Sequence, residues 1–267
     1  MHDQRPLFTP WDSSLAMAND VVSFNAVSKT YPRELGAAPH QALKGISFQL
    51  DKGKTLGLVG ANGAGKSTTI RLLMDFIRPD KGEILLFDKS PQCHEIRRRI
   101  GYLPEIASFP HNLTVLDMIR FTGEACGLPR DVWQKQGEAW LHVLELWEAR
   151  RRPLRSYSKG MQQRANFVLA LINDPDLLIL DEPMSGLDPL GRAKIANLIA
   201  DLKKEGKTIL FCSHILEDID RLSDSILVLH HGEKIFEGLP ADLCRQQGVD
   251  SMVEGYLKLV QESAPCA

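Results

Sequence analysis

Nine consecutive residues in the first third of the chain have the composition of a loop that binds phosphate groups. Residues 60–68 read Gly-Ala-Asn-Gly-Ala-Gly-Lys-Ser-Thr. Glycines let a backbone curl with its N–H groups turned inward, a lysine reaches the β- and γ-phosphates, and a serine hydroxyl ligates Mg²⁺. These residues therefore predict binding of a nucleoside triphosphate with Mg²⁺. The predicted nucleotide contacts are Gly60, Ala61, Asn62, Gly63, Ala64, Gly65, Lys66, Ser67 and Thr68.

The residues on either side of this loop predict the elements that must hold it. The apolar run at 55–59 is typical of a buried strand, and residues 69–74 have the spacing of a helix. A helix that begins here presents unpaired N–H groups and the positive end of its dipole to the phosphates. This context favours a phosphate loop over a Gly-rich structural turn.

An acidic pair follows a second apolar run. Asp181 and Glu182 come directly after residues 177–180. Because ligands of α/β sheets bind at the carboxyl ends of the strands, we expect Asp181 to hold the same Mg²⁺ as Ser67. Glu182 is then placed to orient and deprotonate an attacking water. A surface acidic pair is the alternative, and the phosphate loop upstream argues against it.

A histidine follows a third short strand pattern, at 208–212, in the same way. We expect His214 to hydrogen-bond the γ-phosphate and to respond to its loss. Taken alone, His214 would be interpreted as an ordinary surface histidine.

Composition and charge restrict the class of protein. The chain has 267 residues, of which 43% are hydrophobic, enough for one sizeable domain or two small ones. Its net charge of −2 gives no indication of nucleic-acid binding. Five cysteines without a CxxC pair favour reduced thiols in the cytosol over disulfides or a zinc site. No stretch approaches the ~20 apolar residues of a membrane span, so we expect a soluble protein that reaches a membrane only through a partner.

The order of the strand and helix patterns predicts the fold class. Alternating runs at 21–27 and 46–50 predict antiparallel strands joined by a loop at 32–39. Residues 115–173 have helical spacing, clearest at 116–121 and 140–147, and the inserted helical subdomain is expected at about 105–174. We predict a doubly wound α/β fold with a helical block inserted between the phosphate loop and the later strands. This domain is expected to span 19–240, between a flexible leader at 1–18 and a helical tail at 241–267.

The segment 156–164, which reads Ser-Tyr-Ser-Lys-Gly-Met-Gln-Gln-Arg, resembles the signature motif of one protein family. In ATP-binding cassette (ABC) proteins this motif is Leu-Ser-Gly-Gly-Gln followed by Gln and Arg. The loop at 60–68, the strand end at 177–183, the segment 185–188 and His214 also occur in the order of that family. The chain is therefore identified as similar to the ATP-binding subunit of an ABC transporter. The resemblance implies an α/β fold with a P-loop NTPase (RecA-like) core, an N-terminal antiparallel β subdomain and an inserted α-helical subdomain.

The resemblance implies a dimer with ATP between its two copies. Ser158 is a natural N-cap for the helix that follows it, which makes an anion site at this helix N-terminus. In the family this site meets the γ-phosphate of ATP held by a second chain, so that two subunits pair head to tail. The implied contacts to the partner's ATP are Ser158, Lys159, Gly160 and Met161, and Asp188 lies where the family communicates between the two sites.

Three residues depart from the usual family pattern. Glu105 stands at the Q-loop position, where the family usually has Gln, and we retain for it a coupling role and a contact with the metal. Lys159 and Met161 replace the usual Gly and Gln of the signature. This variant resembles the ATPases of ABC-2 type exporters.

The resemblance also implies two further contacts. Tyr31 lies where the family places an aromatic side chain that stacks on adenine, and an ordinary strand tyrosine is the alternative. The apolar residues at 106–109 and 113–121 fall where the family receives a helix from the permease, although most would belong to the core of the helical subdomain.

The implied function is an ATP-binding and ATP-hydrolysing subunit, a homodimer that drives a separate integral membrane permease for export. Its location would be cytoplasmic, peripheral to the inner face of the cell membrane. One alternative is a soluble ABC ATPase of translation or DNA repair, but the chain shows no second cassette, zinc module or coiled-coil insert. The other is a P-loop kinase of a small molecule, which the signature and the acidic pair disfavour. The transported substance is not encoded here, because specificity resides in the permease.

Overall fold

A computed structural model describes residues 20–32, 39–106, 108–110 and 112–263. The leader predicted at 1–18 and most of the loop predicted at 32–39 lie outside the described residues. None of the helices within these ranges combines the length and the apolar composition needed to cross a membrane.

An antiparallel sheet of three strands forms the first part of the structure. Its central strand β1 (Asp20–Tyr31) pairs with β2 (His40–Asp51) on one side and with β4 (Lys81–Leu86) on the other. The antiparallel strands predicted at 21–27 and 46–50 are thus present. Both are longer than predicted, because the pairing continues through polar residues as far as Tyr31 opposite His40.

A larger sheet of six strands forms the centre of the molecule, in the order β5-β6-β7-β3-β8-β9. The first five strands in this order are parallel, and the last runs antiparallel to its neighbour. The strands are β3 (Thr55–Val59), β5 (Ile100–Leu103), β6 (Leu177–Asp181), β7 (Thr208–Cys212), β8 (Ser225–His230) and β9 (Glu233–Gly238). Every residue of β3, β6 and β7 is buried, which explains their continuous apolar sequences.

The two faces of the large sheet belong to different parts of the core. Along β6, Leu177 and Ile179 pack toward the antiparallel sheet and α1 (Lys66–Leu73), whereas Leu178 and Leu180 pack toward the remaining helices. The large sheet therefore lies between the antiparallel sheet and a helical layer.

The chain between β5 and β6 is mainly helical. After a short helix α2 (His94–Arg97) before β5, three helices pack on one another: α3 (Val115–Ala125), α4 (Arg130–Val143) and α5 (Lys159–Leu171). Helices α3 and α4 approach closely at Gly123, where a Cβ atom would lie 2.5 Å from Cβ of Trp133. The helical pattern predicted at 140–147 is wrong in its second half. Helix α4 ends at Val143 because Glu145 adopts a φ of 55°, which a right-handed helix does not allow.

Between β6 and residue 263, the structure contains four further α-helices. The helices are α6 (Pro189–Lys204), α7 (Leu216–Leu222), α8 (Pro240–Gln247) and α9 (Met252–Glu262). Helices α8 and α9 occupy the segment predicted as a helical tail, and α9 packs on α7.

Candidate functional site

The residues predicted to contact the phosphates, the metal and the attacking water lie at the carboxyl ends of four neighbouring strands. The phosphate loop follows β3, the pair Asp181 and Glu182 ends β6, His214 follows β7, and Glu105 follows β5. Because these strands are parallel and adjacent, their carboxyl ends meet at one edge of the sheet. Residues from four distant parts of the sequence are thereby brought together.

The path of the phosphate loop depends on its glycines and on the turn between β8 and β9. Gly65 has a φ of 116°, and a Cβ atom there would lie 2.9 Å from a carbonyl oxygen of β2. A Cβ atom on Gly60 would lie 2.5 Å from the carbonyl oxygen of Leu229. The Ala64 carbonyl accepts a hydrogen bond from the Gly232 N–H at 3.1 Å. The loop is thus fixed between β2 and β8.

The loop and the start of α1 carry the donors that a phosphate group needs. Among the described residues, the backbone N–H groups of Gly63 and of residues 65–68 find no acceptor. Lys66 is only 9% exposed, and its Nζ donates to the carbonyl oxygens of Gly60 at 2.5 Å and Ala61 at 3.2 Å. Free N–H groups, a helix N-terminus and an ammonium group together fit a ligand with several anionic oxygens.

Asp181 and Ser67 provide oxygen atoms suited to Mg²⁺. Asp181 is 8% exposed, and burial raises the pKa of its carboxyl group above the ordinary value. The neighbouring carboxylates of Glu105 and Glu182 raise this pKa further. A dication relieves such repulsion, so the residues present fit Mg²⁺, with the exposed hydroxyl of Ser67 as the second protein oxygen.

Glu182 is held in an unusual backbone conformation beside His214. Its φ is 49°, in the left-handed region, and its N–H donates to the Cys212 carbonyl at 3.1 Å. Its Oε2 lies 2.7 Å from Nδ1 of His214, where a protonated Nδ1 donates to the carboxylate. The side chain of His214 is 64% exposed and that of Glu182 only 13%. The structure thus gives His214 a carboxylate partner, and its contact with a γ-phosphate stays a prediction.

The signature segment begins α5, as predicted. Ser158 is the N-cap, with Oγ accepting the Met161 N–H at 3.2 Å. The aliphatic part of the Lys159 side chain lies so close to Gly186 that a Cβ atom on residue 186 would collide with it. Asp188 is the N-cap of α6, and its Oδ1 accepts a hydrogen bond from the Gly191 N–H at 2.9 Å. Within the described ranges, no hydrogen bond joins residues 158–161 to the phosphate loop of the same chain.

Two buried residues behind the acidic pair were not assigned from the sequence. Gln163 is 4% exposed and donates from Nε2 to the carbonyl oxygens of Glu182 at 3.4 Å and Pro183 at 3.0 Å. Cys212 donates from its thiol to Oδ1 of Asp181 at 2.7 Å. In the sequence, Gln163 is one residue of the signature segment, and Cys212 is the last apolar residue of a strand pattern. No other signal in the sequence marks them.

The structure also places Tyr31 and Glu105. Tyr31 ends β1, and its buried hydroxyl has no hydrogen-bond partner within the part of the chain that the structure describes. Glu105 is exposed, although it is near enough to Asp181 to raise the pKa of that carboxyl group. The adenine contact of Tyr31 and the coupling role of Glu105 stay predictions.

Comparison with known proteins identifies the family. A family profile described as ABC transporter matches residues 43–185. An uncharacterised ABC transporter ATP-binding protein of Synechocystis is 40% identical over 226 residues, which are 84% of this chain and 63% of that protein. The Nod factor export ATP-binding protein I of Ralstonia nicotianae is 36% identical over 214 residues, 79% of this chain and 67% of that protein.

A solved structure gives the same result. It is described as the dimeric post-hydrolysis state of an ATP-binding cassette bound to ADP and Pi, and it matches with a TM-score of 0.74 at 26% identity. The match covers 82% of this chain and 98% of that one. The chain spans less than two thirds of the length of the Synechocystis relative. On its profile match, its relatives and its fold, the chain belongs to the ABC transporter family of ATP-binding proteins.

Proposed function

We propose that the protein is the ATP-binding and ATP-hydrolysing subunit of an ABC transporter that works with Mg²⁺. The observation that carries this proposal is the meeting of the phosphate loop, Asp181, Glu182 and His214 at one edge of the sheet. Phosphate binding alone needs only the loop, whereas hydrolysis also needs a metal ligand and a base.

Each residue of the site has a defined role in this proposal. Lys66 and the free N–H groups of the loop bind the phosphates, while Ser67 and Asp181 hold the metal. Bound Mg²⁺ neutralises charge on the β- and γ-phosphate oxygens. Glu182 accepts a proton from the attacking water, and His214 fixes the orientation of that carboxylate through the contact of 2.7 Å.

A second copy of the chain completes each site. The signature segment is held by the region around Gly186 and makes no hydrogen bond to its own phosphate loop within the described ranges. In this arrangement, residues 158–161 of one copy contact ATP on the loop of the other, and Asp188 lies at the boundary between them. The dimeric form of the similar cassette supports this arrangement.

An apolar groove supports docking of a membrane permease. It lies between the core and the helical region and is lined by Phe76, Tyr102, Ile106, Phe109 and Met118, among others. Phe76 is 59% and Ile106 75% exposed, which leaves apolar surface for a partner helix. Docking there places the protein at the inner face of the cell membrane. The relative named for Nod factor export supports export as the direction.

Phosphate release by the purified protein tests the proposed activity. The wild type should release phosphate from ATP only when Mg²⁺ is present. Glu182→Gln should still bind ATP but lose turnover, whereas Glu148→Gln, an exposed glutamate outside the site, should keep it. Turnover by Glu182→Gln at the wild-type rate would refute the role of Glu182. Transfer of phosphate to a small acceptor molecule would indicate a kinase instead.

A further inference from the structure

A buried thiol contacts the carboxylate that we assign to Mg²⁺. Cys212 is the last residue of β7 and lies directly opposite Asp181, the last residue of β6, in the parallel register. Its Sγ is 2.7 Å from Oδ1 of Asp181, and the residue has no exposed surface. The thiol donates and the carboxylate oxygen accepts.

The same residue also holds the backbone of the second member of the acidic pair. The carbonyl oxygen of Cys212 accepts the N–H of Glu182 at 3.1 Å, in the strained left-handed conformation described above. Cys212 therefore contacts Asp181 through its side chain and Glu182 through its main chain. A change at this position acts on the metal ligand without removing any group that touches the nucleotide.

We propose that Cys212 is a positioning residue for the metal site, whose S–H fixes Oδ1 of Asp181 and leaves Oδ2 free for the cation. This inference rests on the proposed function. Hydrogen-bond partners of metal-binding groups set ligand orientation, and their loss typically weakens metal affinity about 10- to 100-fold. We therefore expect loss of the thiol to weaken binding of a divalent cation by about that factor.

Simple packing is the competing explanation, because a buried cysteine often serves only as a small apolar residue. The two explanations differ for valine, which has a similar size, suits a strand and carries no donor. If Cys212 only fills space, Cys212→Val should bind the metal normally. If its S–H fixes Asp181, Cys212→Val should bind the metal weakly and Cys212→Ser should recover much of the affinity.

The test is Mn²⁺ binding measured by electron paramagnetic resonance with a non-hydrolysable ATP analogue. Cys212→Val should bind Mn²⁺ about 10- to 100-fold more weakly than the wild type, with Cys212→Ser between them. The half-buried Cys244 of α8 provides the control, and Cys244→Val should match the wild type. Binding of the analogue in excess EDTA should be the same for all variants. A folded Cys212→Val protein with wild-type Mn²⁺ affinity would overturn the inference.

Infrared spectroscopy of the wild type observes the hydrogen bond directly, and serine substitutions serve only to assign the band. The wild type should show an S–H stretching band lowered in frequency, which Cys212→Ser removes and Cys244→Ser leaves in place. If the band that Cys212→Ser removes lies at the position of a free thiol, the inference is overturned. A wild-type protein that binds neither the analogue nor Mn²⁺ would instead contradict the proposed function.

Discussion

Two serines cap helices in the same way, but only one of them lies in the signature segment. Comparison of their alanine variants therefore separates an effect on dimerisation from an effect on folding stability. Oγ of Ser158 accepts the Met161 N–H at 3.2 Å, and Oγ of Ser251 accepts the Glu254 N–H at 3.3 Å. Both serines are exposed. Replacement of either by alanine should therefore cost about 1 kcal/mol of folding free energy. The corresponding fall in melting temperature is about 2–4 °C for a chain of this size.

Only Ser158 is proposed to contact the ATP of a partner copy. A hydrogen bond to a charged group contributes about 1.5–3 kcal/mol, and a symmetric dimer contains two such contacts. Ser158→Ala should therefore weaken ATP-dependent dimerisation by about 3–6 kcal/mol, or roughly 10²- to 10⁴-fold. Ser251→Ala should leave dimerisation unchanged.

Sedimentation velocity with MgATP measures this difference. A Glu182→Gln background keeps ATP intact during the run, and the dimerisation constants of the two serine variants are compared with the background protein. Equal melting temperatures with unequal dimerisation constants are expected. Equal dimerisation constants for Ser158→Ala and Ser251→Ala would refute the proposed contact.

Three further predictions follow from burial and backbone geometry. Burial raises the pKa of Asp181, so the ionised carboxylate lowers the free energy of unfolding above the folded-state pKa. Asp181→Asn should therefore stabilise the metal-free protein against urea at neutral pH, and this gain should shrink as the pH falls through that pKa. A loss of stability would contradict this reasoning. Gly65→Ala should cost about 2–5 kcal/mol of stability, because the positive φ strains an alanine and its Cβ collides with β2. Gly248→Ala should cost only about 1 kcal/mol, because its φ is also positive but its Cβ meets no neighbour. Equal urea midpoints for the two variants would be inconsistent with the loop geometry. Ile106→Asp should abolish co-purification of a permease without lowering the melting temperature. Val143 is 60% exposed and lies outside the groove, so Val143→Asp should still co-purify with the permease.

The strands of the core could be predicted from the sequence because both of their faces are buried. Strand β7 has the predicted bounds of 208–212, and β6 differs from its prediction only by the addition of Asp181. The end of α4 could not be predicted, because the apolar spacing continues through Trp147 while the backbone turns at Glu145. Spacing reports which faces are buried and does not report where a helix stops.

The site could be predicted as far as its residues follow strand ends in the sequence. The phosphate loop and Asp181 come directly after an apolar run and His214 comes two residues after one, and parallel strands bring such positions together. The partners of these residues could not be predicted in this way. The contact of Cys212 with Asp181 depends on the register between two strands that are distant in sequence, and the contact of Gln163 with Pro183 depends on how α5 packs.

Complementation between two inactive variants tests most directly whether each catalytic site is shared by two copies. Lys66→Ala damages the phosphate loop and Ser158→Ala the signature segment, so each variant alone should lack ATPase activity. A mixed dimer contains one site in which both parts are intact. At protein concentrations that saturate dimerisation, an equal mixture should therefore recover up to about a quarter of the wild-type activity, because about half of its dimers are mixed and each has one working site of two. A mixture that stays as inactive as its components would contradict the shared site.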